Sequence, residues 1–177
     1  MSHTTSHNTR HFHPLNICVL TVSDTRTQAN DTSGQKLVDL LTSDGHLLHE
    51  RQLIPDDIYK IRAVVSQWVA DADAQVVLIT GGTGFAGRDS TPEAVAPLLD
   101  KMIVGFGELF RQISYEEIGS STIQSRAFAG FANKTAIFCL PGSTGACTTG
   151  WTRILREQLD ARHTPCNFVG QLIRAIK

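Results

Sequence analysis

Thr80-Gly81-Gly82-Thr83-Gly84 places three glycines in five residues, directly after the apolar run Val76–Thr80. Glycine accepts backbone conformations that turn successive N–H groups into one concavity, and such a nest binds phosphate oxygens. Thr80 and Thr83 add hydroxyl donors. A tight turn alone would need fewer glycines, so the segment reads as an anion site. Two carboxylates stand in comparable places. Asp56 follows the run ending at Ile54, and Asp89 lies in Arg88-Asp89-Ser90-Thr91-Pro92-Glu93. Taken singly, Asp56 reads as a turn residue after Pro55, and Asp89 as a helix cap ahead of Thr91-Pro92. Taken together, beside a phosphate nest, they suit a Mg²⁺-nucleotide, because Mg²⁺ is usually held by one or two carboxylates plus substrate phosphates. Ser143, after Pro141-Gly142, stands at an expected helix N-terminus and can donate to an anion there. Asp31, ahead of Ser33-Gly34, reads equally well as a simple cap.

Other phosphate and nucleophile motifs fit less well. Gly82-x-Gly84-x-x-Gly87 matches the letters of the dinucleotide fingerprint. That fingerprint needs a helix opening within the motif and an acidic residue about 20 positions on. Here Pro92 marks the first helical position, and residue 107 is a glycine in a helical stripe. No Gly-Lys-Ser/Thr occurs, so there is no Walker A loop. Ser143 is outside any G-x-S-x-G elbow and has no histidine placed to activate it. His163, near a helix end, reads as a surface residue.

These loops need strands and helices to hold them. Ile17–Val22, Leu47–Ile54, Val76–Thr80 and Thr135–Leu140 read as strands, and all but the second are nearly continuous apolar runs, the pattern of strands covered on both faces. Helical stripes fall at Leu37/Leu40/Leu41 with a stop at Gly45, and at Ile58/Ile61/Val65/Trp68/Val69. Others fall at Phe106/Leu109/Phe110/Ile113, Ile123/Ala127/Phe131 and Trp151/Ile154/Leu155/Leu159. Residues 92–104 are ambiguous, since Pro97 interrupts a helical pattern. Strands alternating with helices predict a single α/β domain, a doubly wound, mostly parallel sheet flanked by helices. Ligands of such sheets bind beyond the carboxyl ends of the strands. The four strand-end loops are therefore expected on one edge.

The composition is that of a globular domain: 177 residues, 41% hydrophobic, 19% charged, net charge −1. That balance gives no nucleic-acid footprint. No run approaches the roughly 20 apolar residues of a membrane span. Residues 1–14 lack an apolar stretch, so they do not read as a secretory signal. They are polar, carry four of the seven histidines, and are expected to form a disordered tail before a domain over 15–177. The four cysteines show no C-x-x-C spacing; Cys18 and Cys139 read as buried small hydrophobes, and the expected compartment is a reducing cytoplasm.

Taken in order, Asp31-Thr32-Ser33-Gly34, Thr80–Gly84, Arg88-Asp89-x-Thr91-Pro92-Glu93 and Pro141-Gly142-Ser143 resemble the MoaB and MogA family of molybdenum cofactor biosynthesis, over about residues 15–170. Ser114–Gly119, Ser125-Arg126 and Pro165–Phe168 resemble its MoaB branch. The resemblance implies an α/β domain that binds molybdopterin, a small-molecule pterin. Members such as MogA adenylylate it with Mg-ATP before metal insertion. On this basis Asp56 and Asp89 match the family's two important aspartates, catalytic and Mg²⁺-holding. Thr80, Gly81, Gly82, Thr83 and Gly84 match its nucleotide-phosphate loop. Asp31, Ser33, Gly142, Ser143, Ser125 and Arg126 are assigned to the pterin. ATP and molybdopterin are then substrates, and a non-catalytic pterin-binding or carrier protein of the same pathway is the alternative. The family also implies a homo-oligomer, trimer or hexamer; the stripe Phe106–Ile113 reads as core or as its subunit contact.

Overall fold

The structure, a computed structural model, describes residues 11–173. Strands β1 (Asn16–Val22), β2 (Leu47–Ile54), β3 (Val76–Thr80), β4 (Lys101–Met102), β5 (Phe128–Ala132) and β6 (Thr135–Leu140) form one sheet in the order β2-β1-β3-β6-β5-β4. The first four in that order run parallel, and the β5–β6 and β4–β5 pairs are antiparallel. Helices α1 (Thr32–Ser43), α2 (Ile58–Ala70), α3 (Thr91–Val95), α4 (Val104–Ile118), α5 (Thr144–Gly150), α6 (Arg156–Gln158) and α7 (Val169–Leu172) connect or cover the strands. A π-helical stretch, Trp151–Leu155, joins α5 to α6, and 3₁₀ turns follow α3 and α4.

The central strands are buried on both faces, as their apolar runs require. Ile17 and Val19 of β1, Val76 and Leu78 of β3, and Phe138 of β6 pack with α1, α4 and the helix from α5 to α6. The alternate residues, Cys18, Leu20, Val77, Ile79 and Cys139, pack with Ile61, Val65 and Trp68 of α2 and with α3. Thr21 of β1 pairs with Thr80 of β3, which pairs with Leu140 of β6. The three strands therefore end level, and their following loops start at one height. The sheet order reverses between β1 and β3. That reversal is where an open α/β sheet leaves a crevice.

Four expectations change or are decided. Ile123, Ala127 and Phe131 do not share a helix: a 3₁₀ turn over Gly119–Gln124 leads into β5. β5 and β6 are joined at Asn133-Lys134, both with positive φ, 46° and 69°, which is the backbone of a two-residue hairpin turn. The ambiguous stretch near Pro97 resolves into the 3₁₀ turn Ala96–Leu98 and the short edge strand β4. Phe106, Phe110 and Ile113 are core residues within one chain. The exposed apolar residues of α4 are instead Val104, Leu109, Tyr115 and Ile118.

The fourth change is where packed chain begins. Part of the tail expectation, residues 1–10, lies outside the described residues. Phe12, however, packs tilted against buried His46, ring centroids 5.0 Å apart, and lies under the Arg162 guanidinium at 5.1 Å. Packing thus starts before Leu15. Beside it, Gln75 accepts from the Asn16 N–H (2.8 Å) and donates to the Leu172 carbonyl (3.2 Å). Both ends of the described chain meet at the amino ends of the strands.

Candidate functional site

A cleft of about 740 Å³ opens at the carboxyl ends of β1, β3 and β6. It is lined by the loops after all three strands, by Asp56 after β2, and by residues of α4 and α5. Thr80, Gly81, Gly82, Thr83, Gly84, Asp56, Asp89, Ser33, Gly142, Ser143 and Ser125 all reach it. The structure brings these together from five separate stretches of sequence. Asp31 and Arg126 are not on its wall.

The glycine loop turns sharply out of β3, with the Gly81 N–H still bonded in the sheet to the Leu140 carbonyl at 3.0 Å. Gly81 and Gly82 have consecutive positive φ, 105° and 63°. A Cβ at Gly82 would stand 2.5 Å from Thr91 Oγ1 and 2.6 Å from Asp56 Oδ2, so a side chain there would displace the acid. The start of α3 clamps the turn: Thr91 donates through its hydroxyl to the Gly81 carbonyl (2.8 Å) and through its N–H to the Gly82 carbonyl (2.9 Å). Thr80 is buried and donates to the Pro141 carbonyl at 3.1 Å.

Three carboxylates gather beside the glycine loop. Asp56 Oδ1 accepts from the Ser90 N–H at 3.1 Å and from the Ser90 hydroxyl. Asp24 Oδ1 accepts from the Asp56 N–H at 3.1 Å, and Asp24 Oδ2 pairs with exposed Arg88 at 3.1 Å. Burial pushes the Asp56 carboxyl above its ordinary range; the Ser90 bonds oppose this, and the charges of Asp89 and Asp24 add to it. A cation held here would relieve that repulsion. Asp89 does not cap α3. Ser90 occupies the cap position, but its hydroxyl goes to Asp56 and not to an α3 N–H. Asp89 Oδ2 instead accepts from the Ala86 N–H at 2.7 Å and closes its own loop.

The opposite side of the cleft carries one arginine. Arg26, unassigned by sequence reasoning, bonds the Ser33 hydroxyl and donates to the Gly142 carbonyl at 2.9 Å. Ser143 is the N-cap of α5, accepting from the Ala146 N–H at 3.1 Å. Asp31 lies behind this wall as a structural knot. It caps α1 through the Gly34 N–H (2.9 Å), accepts from Thr21 (2.7 Å), and pairs with Arg51 (2.9 Å) and Arg26 (3.5 Å). Burial alone would raise its pKa. The bonds from Arg51, the Gly34 N–H and Thr21, with the Arg51 charge, outweigh that and hold it below the usual range.

Sequence reasoning passed over two further parts. Asp24 had a signal, since it directly follows β1 at the reversal of strand order. Glu117 of α4, whose carboxylate accepts from Thr149 of α5 at 2.8 Å, lay within the Ser114–Gly119 resemblance, which gave it no role. Only the packing of α4 against α5 brings those two residues together.

Among known proteins, the sequence profile described as "Probable molybdopterin binding domain" matches residues 18–161. Molybdenum cofactor biosynthesis protein B of Escherichia coli (strain K12) is 54% identical over 157 residues, 89% of this chain and 92% of that protein. The protein of the same name from Bacillus cereus is 46% identical over 142 residues, 80% and 84% respectively. A crystal structure of molybdenum cofactor biosynthesis protein B superposes with TM-score 0.81 at 44% identity, over 83% of this chain and 92% of that one. The tungsten cofactor synthesizing protein MoaB from Pyrococcus furiosus gives 0.74 at 35% identity, over 81% and 92%.

Proposed function

The chain belongs to the molybdopterin-binding-domain family of MoaB and MogA, and from that premise we propose that it adenylylates molybdopterin with Mg-ATP. Its place is in molybdenum cofactor biosynthesis, and its ligand is a pterin. The observation that carries the finer reading is the pairing of the glycine loop Gly81–Gly84 with Asp56 and Asp89 in one cleft at the reversal of strand order. The terminal phosphate oxygen of molybdopterin attacks the α-phosphorus of ATP. A phosphoanhydride bond forms, the bond from the α-phosphorus to the bridging oxygen breaks, and pyrophosphate leaves. The attacking phosphate is already ionised, so no strong general base is needed. Catalysis is then positioning plus charge neutralisation.

The residues present fit Mg²⁺ arriving with ATP. Asp56 and Asp89 reach one cleft, with Asp24 beside them, and the Asp56 carboxyl already feels the negative charges around it. Among the described residues, no group of three or more His, Cys, Asp or Glu could hold a metal by itself. That suits an ion held jointly with substrate phosphates. Gly81–Gly84 would take ATP phosphates, and Arg26 with the Ser143 end of α5 would take the pterin phosphate.

Pyrophosphate release from Mg-ATP, measured with and without molybdopterin, tests this. Release dependent on both substrates is expected. Molybdopterin binding with no release would replace the transferase by the non-catalytic carrier. No helix among the described residues is long and apolar enough to cross a membrane, and cytoplasmic action is part of the proposal. So is a homo-oligomer, trimer or hexamer, using the exposed apolar face of α4. Light scattering that found only monomer at micromolar concentration would remove it.

A further inference from the structure

We infer that Arg126 is a positioning residue that sets the nucleotide loop, and not a contact for the pterin. The inference rests on the reading of Gly81–Gly84 as the nucleotide-phosphate loop and of Asp89 as a holder of Mg²⁺. Between Gly84 and Asp89 that loop has almost no packing of its own. Phe85, Ala86, Gly87 and Arg88 are all exposed. A loop of this composition loses much conformational entropy when it is ordered, so something must hold both ends.

Arg126 does so from a different part of the chain. Its Nε donates to the Gly84 carbonyl at 2.8 Å, and another guanidinium nitrogen donates to the Asp89 carbonyl at 2.9 Å. The planar fork thus bridges the two ends of the excursion. The remaining nitrogen pairs with Glu93 in the first turn of α3. The Arg126 N–H also donates to the Thr83 carbonyl at 3.0 Å, and the guanidinium lies 5.1 Å over the Phe85 ring. The group is three-quarters buried against this loop, with 24% of the side chain exposed. Lysine carries the charge but cannot reproduce a planar two-carbonyl bridge.

The chemical consequence runs through Asp89. Arg126 fixes the backbone of the residue whose carboxylate is proposed to meet Mg-ATP. The neighbouring Ser125 faces the cleft, so one short segment carries a cleft residue and the clamp behind it. A reacting group displaced by about 1 Å can lower a rate on the order of 10²-fold. Removing the clamp should therefore act on nucleotide and turnover, and leave the pterin alone.

The test uses Arg126→Met, Arg126→Lys and Glu93→Gln in the full chain. Amide hydrogen exchange at residues 83–89 reads the clamp without any ligand. Calorimetric titration with Mg-ATP and with molybdopterin, and pyrophosphate release, read its effect. For Arg126→Met, exchange at the Ala86 and Asp89 amides, which are bonded to Asp89 Oδ2 and the Ala86 carbonyl, should quicken at least about tenfold while β1, β3 and β6 keep their protection. KM for ATP should rise, kcat should fall by roughly 10- to 10²-fold, and molybdopterin affinity should stay within about twofold. Arg126→Lys, which retains the Glu93 pair, should fall between, and Glu93→Gln should sit near the parent because both carbonyl bonds survive. If Arg126→Met does not fold, Arg126→Lys carries the comparison. Unchanged exchange in both arginine variants overturns the inference, as does a loss confined to molybdopterin affinity. If the parent releases no pyrophosphate, the transferase reading fails, while loop exchange and Mg-ATP affinity still decide the clamp.

Discussion

Asp56→Asn is expected to lower Mg-ATP-dependent turnover on the order of 10²-fold or more, the scale on which removal of one well-placed electrostatic group acts, without weakening the fold. Asparagine keeps an oxygen for the Ser90 N–H and hydroxyl that Asp56 now accepts from. What it removes is a charge whose carboxyl is pushed up by burial and by Asp89 and Asp24. The sign follows from proton linkage. A raised folded-state pKa means that the native chain binds the proton more tightly than the unfolded chain. The associated stability is fully present below the unfolded value of about 3.9 and is lost as pH rises through the folded value. At neutral pH the ionised Asp56 therefore opposes folding of the ligand-free protein. Asp56→Asn should melt at or above the parent at pH 7, and the gap should close in acid as Asp56 becomes protonated. Asp89→Asn should also keep the fold and lose turnover, because Asn can still accept from the Ala86 N–H. Molybdopterin affinity without ATP should persist in both. Full turnover in either variant would reject a metal role for that carboxylate.

Gly81→Ala should damage the fold itself. Gly81 has φ +105°, and a Cβ there would drive into the Val22 carbonyl oxygen, with its carbon at 3.2 Å. The obstacle is backbone of β1, the Gly81 N–H donates to the Leu140 carbonyl of β6 at 3.0 Å, and Thr91 bonds the Gly81 carbonyl. Neither side has room to yield. Strain at such a position is of order 1–3 kcal/mol before the clash is counted. We expect a total above about 3 kcal/mol, a melting point lower by roughly 6–12 °C, and loss of nucleotide binding. Gly87→Ala is the control, since nothing lies within 4 Å of its Cβ position and its φ is not in the left-handed region. It should be neutral, or stabilising by a few tenths of a kcal/mol through the unfolded chain. Equal melting points for the two variants would refute the argument.

The parallel half of the sheet was legible because its physics is local. β1, β3 and β6 are apolar on both faces, and their glycine, acid and proline loops mark their ends. β5 was not legible, and the reason is close approach. A Cβ at Gly130 would meet the Lys101 carbonyl of β4 at 2.6 Å, and one at Gly107 of α4 would meet the Ala127 carbonyl at 2.5 Å. The small residues that allow these contacts give Ala127–Ala132 little strand character, while Ala127 and Phe131 share helical spacing with Ile123. The missed signal was Asn133-Lys134, a turn pair between two apolar stretches. At the site, residues next to strand ends were readable in position. Their division of labour was not. Whether Asp31 faces ligand or carries Arg51, and whether Arg126 faces the cleft or grips the loop behind it, depends on partners 20 and about 40 residues away.

Because Phe12, Leu172 and Gln75 lie at the amino ends of the strands and the cleft lies at the carboxyl ends, the two described chain ends and the site occupy opposite poles of the sheet. A purification tag, fluorescent reporter or second domain joined at residue 11 or residue 173 starts from the pole of the sheet away from the cleft. The same layout lets a domain of this architecture be embedded in a longer polypeptide, or anchored to a surface for binding measurements, with the mouth of its cleft facing outward.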